Sequence, residues 1–476
     1  MKNFKRNLII VILAITAIVC GAFGFAACGD DEHKPTGALK YTDKGDYYEV
    51  SGLGITTAKD IYIADTYQGK PVKSIGGSAF RNRSGILSVH IPNTITSIGS
   101  YAFEGCERLT TITIPDSVTQ FGWDAFAGCE SLTIYCEAKS KPAGYYVKED
   151  PEDEESGEDW NSHCPVVWDC KNNDVADDGY IYTVADGLRY ALKDGKATVA
   201  RQSKKLEGEI TVPQSVKYNK NTYTVTSVGD NAFNTCKAIT AVTLPDSITL
   251  LGDYSFSECY LLKSLTIPDG ITSIGDYAFS HCSALKSIPT NLTHMGEGAF
   301  FWSAGLENVT IPDGVTVIGD YTFQNCHNLK SVKIHDKVTS IGNAAFYGCS
   351  EITDLTIGSG VTSIGESAFV WCASLTSITL PDSVTSIGNW AFSYCGGLTS
   401  IVIPDSVTAI GDWAFSTCEA LKSITIGKGV TTIGWNAFDE CDALETVNFK
   451  GTAEDWDKIS IGTGNDNLTE ATRNYI

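Results

Sequence analysis

The sequence predicts a β-rich solenoid: coils of about 23 residues, each with short strands and a short helical turn, stacked into two arrays with β caps. Three observations point there. Phe233, Phe256, Phe279, Phe300, Phe323, Phe346, Phe369, Phe392, Phe415 and Phe438 recur at 23-residue steps, with one 21-residue step into Phe300. Around each Phe the chain repeats one phrase, as in LTTITIPDSVTQFGWDAFAGC (109–129) and LTSIVIPDSVTAIGDWAFSTC (398–418). The 45 Gly and regularly placed Pro suit a chain that turns every few residues. At 476 residues the chain also exceeds one compact core, so more than one domain is expected.

One coil is read from Leu109 to Cys129. Leu109, Ile112 and Ile114 follow an L-x-x-I-x-I pattern whose last two apolar positions alternate with Thr113, which marks a short half-buried strand. Pro115 ends it, because Pro cannot donate to a sheet ladder, and Asp116 beside it completes a turn pair. Val118, Thr119 and Phe121 suit a second, bent β segment closed by Gly122. Ala125, Phe126 and Cys129 then share one face of about a helical turn, with Phe as the plug and Ala admitting close neighbours. A lone coil leaves both apolar faces open, so only stacking and special end caps stabilise it.

The formal charge of −22 opposes phosphate backbones and anionic lipid surfaces, so nucleic acid is not an expected partner. The N-terminus, MKNFKR followed by the apolar run LIIVILAITAIVCGAFGFAA and then Cys28-GDDEHKP, reads as an export signal; the alternative is an uncleaved membrane anchor. It resembles a bacterial lipoprotein lipobox, with Ala26 and Ala27 before Cys28, although Phe25 replaces the usual Leu. That resemblance implies that residues 1–28 are a leader, that Cys28 is lipidated, that the bulk of the chain is extracytoplasmic, and that membrane contact runs through the N-terminal lipid only.

Units such as TSITLPDSVTSIGNWAFSYCGGL (376–398) resemble the BspA-type leucine-rich repeat family, over positions near 71–132 and 225–447. The adjoining segments resemble that family's end modules. Residues 37–80 and 178–233 place Tyr- and Val-rich strands before the first Ala-Phe anchor and look like N-terminal β caps. IYCEAKSKPAGYY (134–146) with WNSHCPVVWDC (160–170) looks like a closing segment, and 449–476 looks like a C-terminal cap. The expected organisation is a linker at 29–36, a first capped array at 37–170, a linker at 171–177 and a second capped array at 178–476. The resemblance implies adhesion at the cell surface, to host matrix protein in some members.

Eleven of the 16 Cys follow the repeat Phe by three: Cys106, Cys129, Cys236, Cys259, Cys282, Cys326, Cys349, Cys372, Cys395, Cys418 and Cys441. They are expected to stack as small buried groups rather than as disulfides, since an odd number cannot pair fully and equivalent positions on parallel coils rarely present disulfide geometry. Arg83 and Ser303 interrupt the register. Cys136, Cys164 and Cys170 with His163 lack the close Cys pairs of a zinc site, and KEDPEDEESGEDW (148–160) lacks a spaced calcium loop; the first three read as reduced packing thiols, with a Cys136–Cys164 bridge as the alternative, and the acidic run reads as a solvated loop. No cofactor or metal is expected.

Catalysis needs converging acids, bases or nucleophiles, yet His33, His90, His163, His281, His294, His327 and His335 fall at different places in the repeat frame, and neither a phosphate loop nor a G-x-S-x-G elbow occurs. The chain is expected not to be an enzyme. A solenoid instead turns each repeat position into a stripe. Asp230, Asp253, Asp276, Glu297, Asp320, Glu366 and Asp412 lie three residues before the Phe. Tyr101, Tyr254, Tyr277, Tyr321, Trp390 and Trp413 lie two before it, and Trp302, Trp371 and Tyr394 two after. Tyr254, Tyr277, Tyr321, Trp371, Trp390 and Trp413 are the candidate ligand stripe, for an extracellular protein or, alternatively, a glycan. The structural alternative is that rings cover the turns and acids cap their N-terminal ends. Thr339, Thr362, Thr385, Thr408 and Thr431 are expected to form an outward ladder.

Overall fold

A computed structural model of the chain describes residues 35–140, 164–170 and 173–476. The leader with Cys28, the acidic run 148–160 and His163 lie outside the described residues. Two compact units divide the chain: one holds the described residues up to Lys196 together with Ser215–Thr224, the other Ala197–Gln214 with Val225–Ile476.

Both units follow the coil read from the repeat. In strand Thr111–Ile114, Ile112 and Ile114 are buried while Thr111 and Thr113 face water. The strand pairs in parallel and in register with Thr133–Cys136 and, on its other side, with Ser88–His90. Pro115 begins a turn in which its carbonyl accepts the Val118 N–H at 3.1 Å. The second β segment is two residues long in most coils, as in Ser340–Ile341 paired with Ser363–Ile364. It ends at Gly because the preceding coil comes too close for a side chain: a Cβ on Gly122 would collide with the Ser100 nitrogen.

The third side, expected as a short helical turn, is a run of overlapping β-turns; in unit two the helices are confined to the C-terminal cap, at Ala453–Trp456 and Asp466–Glu470. Around Phe256 the N–H groups of Ser255, Ser257 and Cys259 donate within the coil to the carbonyls of Gly252, Tyr254 and Phe256. Those of Tyr254, Phe256 and Glu258 donate to Asp276, Ala278 and Ser280 of the next coil, each at 2.8 Å. This alternation sends every second N–H along the stack, so the turns of successive coils are bonded to one another as the strands are. It requires left-handed backbone two residues before and two after the Phe, as at Tyr254 (φ 53) and Glu258 (φ 58).

The Phe plugs form a column inside each unit. Ring centroids from Phe233 to Phe438 are 5.1 to 5.6 Å apart with nearly parallel planes, and each ring is fully buried. The Cys register is a second column, with a role beyond filling space. Cys349 Sγ donates to the Phe323 carbonyl of the preceding coil at 3.1 Å, and the same carbonyl accepts the Cys326 N–H at 3.2 Å. Ser303 does the same with its hydroxyl, reaching the Phe279 carbonyl at 2.6 Å. The position therefore calls for a small side chain with a donor, which Cys and Ser supply. Burial pushes the thiols of Cys282, Cys326 and Cys395 up to about 12. The Thr stripe is outward and laddered: each hydroxyl reaches the backbone carbonyl of the preceding Thr, as for Thr362 on Thr339 at 3.0 Å.

The ends differ in chemistry. In unit one, Leu39–Asp43 and Tyr48–Leu53 form an antiparallel hairpin that hands over to Lys70–Ile75 in parallel. Val166–Val167 continues the array beside Thr133–Cys136. The hairpin of Ile181–Ala185 and Leu188–Lys193 belongs to this unit, where buried Arg189 donates to the Leu132 carbonyl at 3.2 Å and to Thr133 Oγ1 at 2.8 Å. In unit two, Ser460–Ile461 and Thr472–Tyr475 are the last strands of the two C-terminal sheets. Trp456 packs edge-on against Phe449 beneath Arg473. Asn465 ends the turn ladder: its Oδ1 accepts the Phe438 N–H at 3.0 Å, and its Nδ2 donates to the Gly434 and Gly462 carbonyls at 2.9 and 2.8 Å.

Unit two has an interruption at its 21-residue coil. Strand Ser264–Thr266 is the last of one sheet and Asn308–Thr310 the first of another, and the second β segments break between His294–Met295 and Val317–Ile318. Only the turn side runs through, with Gly298, Phe300 and Trp302 donating to Asp320, Thr322 and Gln324 at 2.8 to 2.9 Å.

Candidate functional site

The candidate residues stand on the turn side, at the two left-handed positions of each coil. Tyr254, Tyr277, Tyr321, Trp390 and Trp413 occupy the position before the Phe, with φ between 52 and 57, and Trp371 occupies the one after it, with φ 63. The stripe is thus two parallel tracks. Non-glycine residues pay about 1 kcal/mol for this backbone, but the conformation aims each ring away from the plug.

Exposure differs along the tracks. Tyr254, Trp371 and Trp390 are 41%, 46% and 38% exposed, and Trp302 and Tyr394 are close to these values. Tyr277, Tyr321 and Trp413 are half-buried. Tyr254 and Tyr277 stack at 5.2 Å, and Trp371 and Tyr394 at 4.1 Å with a 9° tilt. Tyr277 leans over Gly298 of the next coil, where a Cβ would meet its ring. Its hydroxyl donates to Glu297 at 3.4 Å; burial first, then the Glu297 charge, push it up to about 12.

The structure adds residues that the fixed-register reading missed. Phe301, one residue after its plug, bridges the tracks: its ring lies 5.8 Å from Tyr277 and 5.6 Å from His281. His281 stacks parallel to Trp302 at 5.9 Å, and Trp302 meets His327 edge-on at 5.1 Å. Burial lowers the His281 pKa against the opposing pull of Glu258. The result is one contiguous aromatic patch from Tyr254 to His327. The doublet Phe300-Phe301 was its signal in the sequence.

The acid stripe is structural at its first oxygen. Asp253, Asp276 and Glu297 donate their backbone N–H to the Oδ1 of Asp230, Asp253 and Asp276, one coil back, at 2.7 to 2.9 Å. The N–H satisfied is thus one coil away, not at the N-terminal end of the residue's own turn. Asn343 and Asn389 serve the same purpose for Glu366 and Asp412 at 2.9 Å, so charge is not required. Among the described residues no three His, Cys, Asp or Glu side chains converge on a metal-sized site. The arrangement offers flat apolar contact, Tyr and Trp polar edges, and a flanking row of carboxylates.

The profile described as BspA type leucine rich repeat region (6 copies) matches residues 63–143, 213–330, 293–401 and 339–461. The chain belongs to this family. Among solved structures, a leucine-rich repeat protein from Bacteroides ovatus is 28% identical with a TM-score of 0.53, over 92% of this chain and 98% of that one. A leucine rich cell surface protein from Faecalibacterium prausnitzii is 24% identical with a TM-score of 0.37, over 91% of this chain and 99% of that one. No curated protein matches the chain. Family membership accounts for the coil and its plugs. The aromatic patch is a property of particular coils, since other BspA-type units of this same chain carry Ala344 or Ser367 where the Tyr and Trp stand.

Proposed function

We propose that the chain is a non-catalytic recognition or adhesion protein of the bacterial surface, lipid-anchored through Cys28, that presents its aromatic tracks to a protein ligand. The carrying observation is the set of Tyr and Trp rings held about two-fifths exposed at left-handed positions that Ala344 and Ser367 before the Phe, and Thr235 and Thr417 after it, also occupy without disturbing the coil. Rings that the fold does not need, fixed by a rigid backbone, lose little conformational entropy on binding. The stacked pairs cover each other's faces and leave edges outward, which favours an irregular protein surface over a flat sugar ring.

The experiment replaces Tyr254, Tyr277, Tyr321, Trp371, Trp390 and Trp413 by Ala and screens both forms on arrays of matrix proteins and soluble glycans. The expected result is loss of a protein signal with the thermal midpoint preserved, within the ~0.5–1.5 kcal/mol of each lost ring pair. Collapse of the fold makes the rings packing elements, and loss of a glycan signal alone moves the ligand class. For the anchor, labelled fatty acid should enter the exported chain and Cys28→Ala should abolish incorporation; unchanged labelling refutes the site.

A further inference from the structure

The 21-residue coil records what it lacks. Aligned with the following coil, Leu285-Lys286-Ser287-Ile288-Pro289 matches Leu306-Glu307-Asn308-Val309 and then Pro312, so the equivalents of Thr310 and Ile311 are missing. Ile311 is fully buried, and its absence one coil earlier leaves a cavity of about 320 Å³. Leu265, Ile267, Leu285 and Ile288 line its apolar side; Ser287 and Asn291 stand among its polar residues.

Two further observations give the cavity a direction. Leu265 and Ile267 are only half-buried, whereas Val242, Leu244, Val309 and Ile311 on the flanking coils are 3% exposed or less. Strand Ser264–Thr266 ends its sheet here, and Asn308–Thr310 begins another. In flanking coils the N–H equivalent to that of Ile267 is used: Leu244 donates to Thr266 and Ile311 to Lys333. The unpaired edge of Ser264–Thr266 therefore borders a gap whose far wall is Leu285, Ser287 and Ile288, and unpaired edges recruit extended chain.

We propose that this gap is a docking site for an extended peptide segment of a partner protein. The segment adds as the missing strand on the Leu265 and Ile267 edge and seats one Ile or Val side chain where the absent isoleucine would lie, a case of β-augmentation. The flanking repeats define the shape that fits: outward hydroxyl, inward β-branched residue, in alternation. The site is separate from the aromatic tracks, so the fate of one does not decide the other.

The probe is a dye-labelled hexapeptide, Lys-Ser-Ile-Thr-Ile-Gly, copied from residues 422–427. Fluorescence anisotropy with the full chain should show saturable binding, and a peptide with Ser in place of both isoleucines should not bind. Insertion of Thr-Ile between Ile288 and Pro289 restores a 23-residue coil and should weaken binding at least tenfold, about 1.4 kcal/mol. Ser287→Trp, which fills the opening with a side chain, gives the same readout if the insertion does not fold. Absence of saturable binding, or equal binding to the wild type and the filled variant, overturns the proposal.

Discussion

The Asn465 side chain stands in for a coil that does not exist, which makes Asn465→Ala a direct test of how the array ends. In the interior, the Phe415 N–H donates to the Ala437 carbonyl of the next coil at 2.8 Å. At the last plug, the Phe438 N–H has only Asn465 Oδ1. The substitution removes this bond and both Nδ2 bonds, each contributing ~0.5–1.5 kcal/mol, and leaves a buried donor unsatisfied, so the loss is about 2–4 kcal/mol. Repeat arrays unfold from their ends, so the loss should appear as opening of the cap before the interior. Hydrogen exchange read by mass spectrometry should show faster exchange for 434–476 and unchanged protection around Phe323. Asn465→Asp sharpens the test. Its second oxygen faces two carbonyls, so its folded pKa rises above the unfolded value of about 3.9. Stability is then present below that value and lost as pH rises through the folded pKa. Unchanged cap exchange in Asn465→Ala would refute the reasoning.

Three other outcomes follow from the columns. Cys349→Ser keeps a donor on the Phe323 carbonyl, as Ser303 does on Phe279, and should cost under about 1 kcal/mol, while Cys349→Val crowds a fully buried site without a donor and should cost about 1–3 kcal/mol by denaturant titration. Asp253→Asn retains the acceptor for the Asp276 N–H and relieves repulsion with Asp230 and Asp276, so it should stabilise by a few tenths of a kcal/mol; Asp253→Ala should destabilise by about 1 kcal/mol, and a gain there would contradict the ladder. The buried thiols, raised to about 12 from an ordinary 9.0, hold their protons in the folded state longer than in the unfolded one. Stability should therefore be complete below pH 9 and fall as pH rises from there toward 12, with the folded chain inert to thiol reagents at pH 8; a flat alkaline profile would count against this.

Much of the coil was legible because its signals are local and repeated. The alternation of Ile112 and Ile114 with Thr, the Pro stop and the Gly corner each follow from one residue's own chemistry. The turn side was less legible, since alternating left-handed residues can be Tyr, Trp, Glu, Asn, Ala or Gly and leave no composition signature. The capping alternative for the acid stripe placed its N–H partner in the wrong coil, because a sequence shows which residues recur, not which N–H lies one coil away. At the candidate site the two tracks were visible as spacing, but Phe301, His281 and His327 were not, because their contact depends on the shortened coil and on side-chain direction. The 21-residue step was plain in the sequence; that it removes an inward isoleucine and opens two sheets needed coordinates.

Asn465 also bears on how such a chain changes in size. It engages only the final turn and does not register how many precede it, so duplication of a complete 23-residue copy inside the array would leave the terminus chemically unaltered. A loss of two residues is different, because it strands hydrogen-bonding groups on both sides. Growth and shrinkage by whole copies is consequently the tolerated mode of variation, and reach becomes a quantity that recombination can tune without redesigning either end.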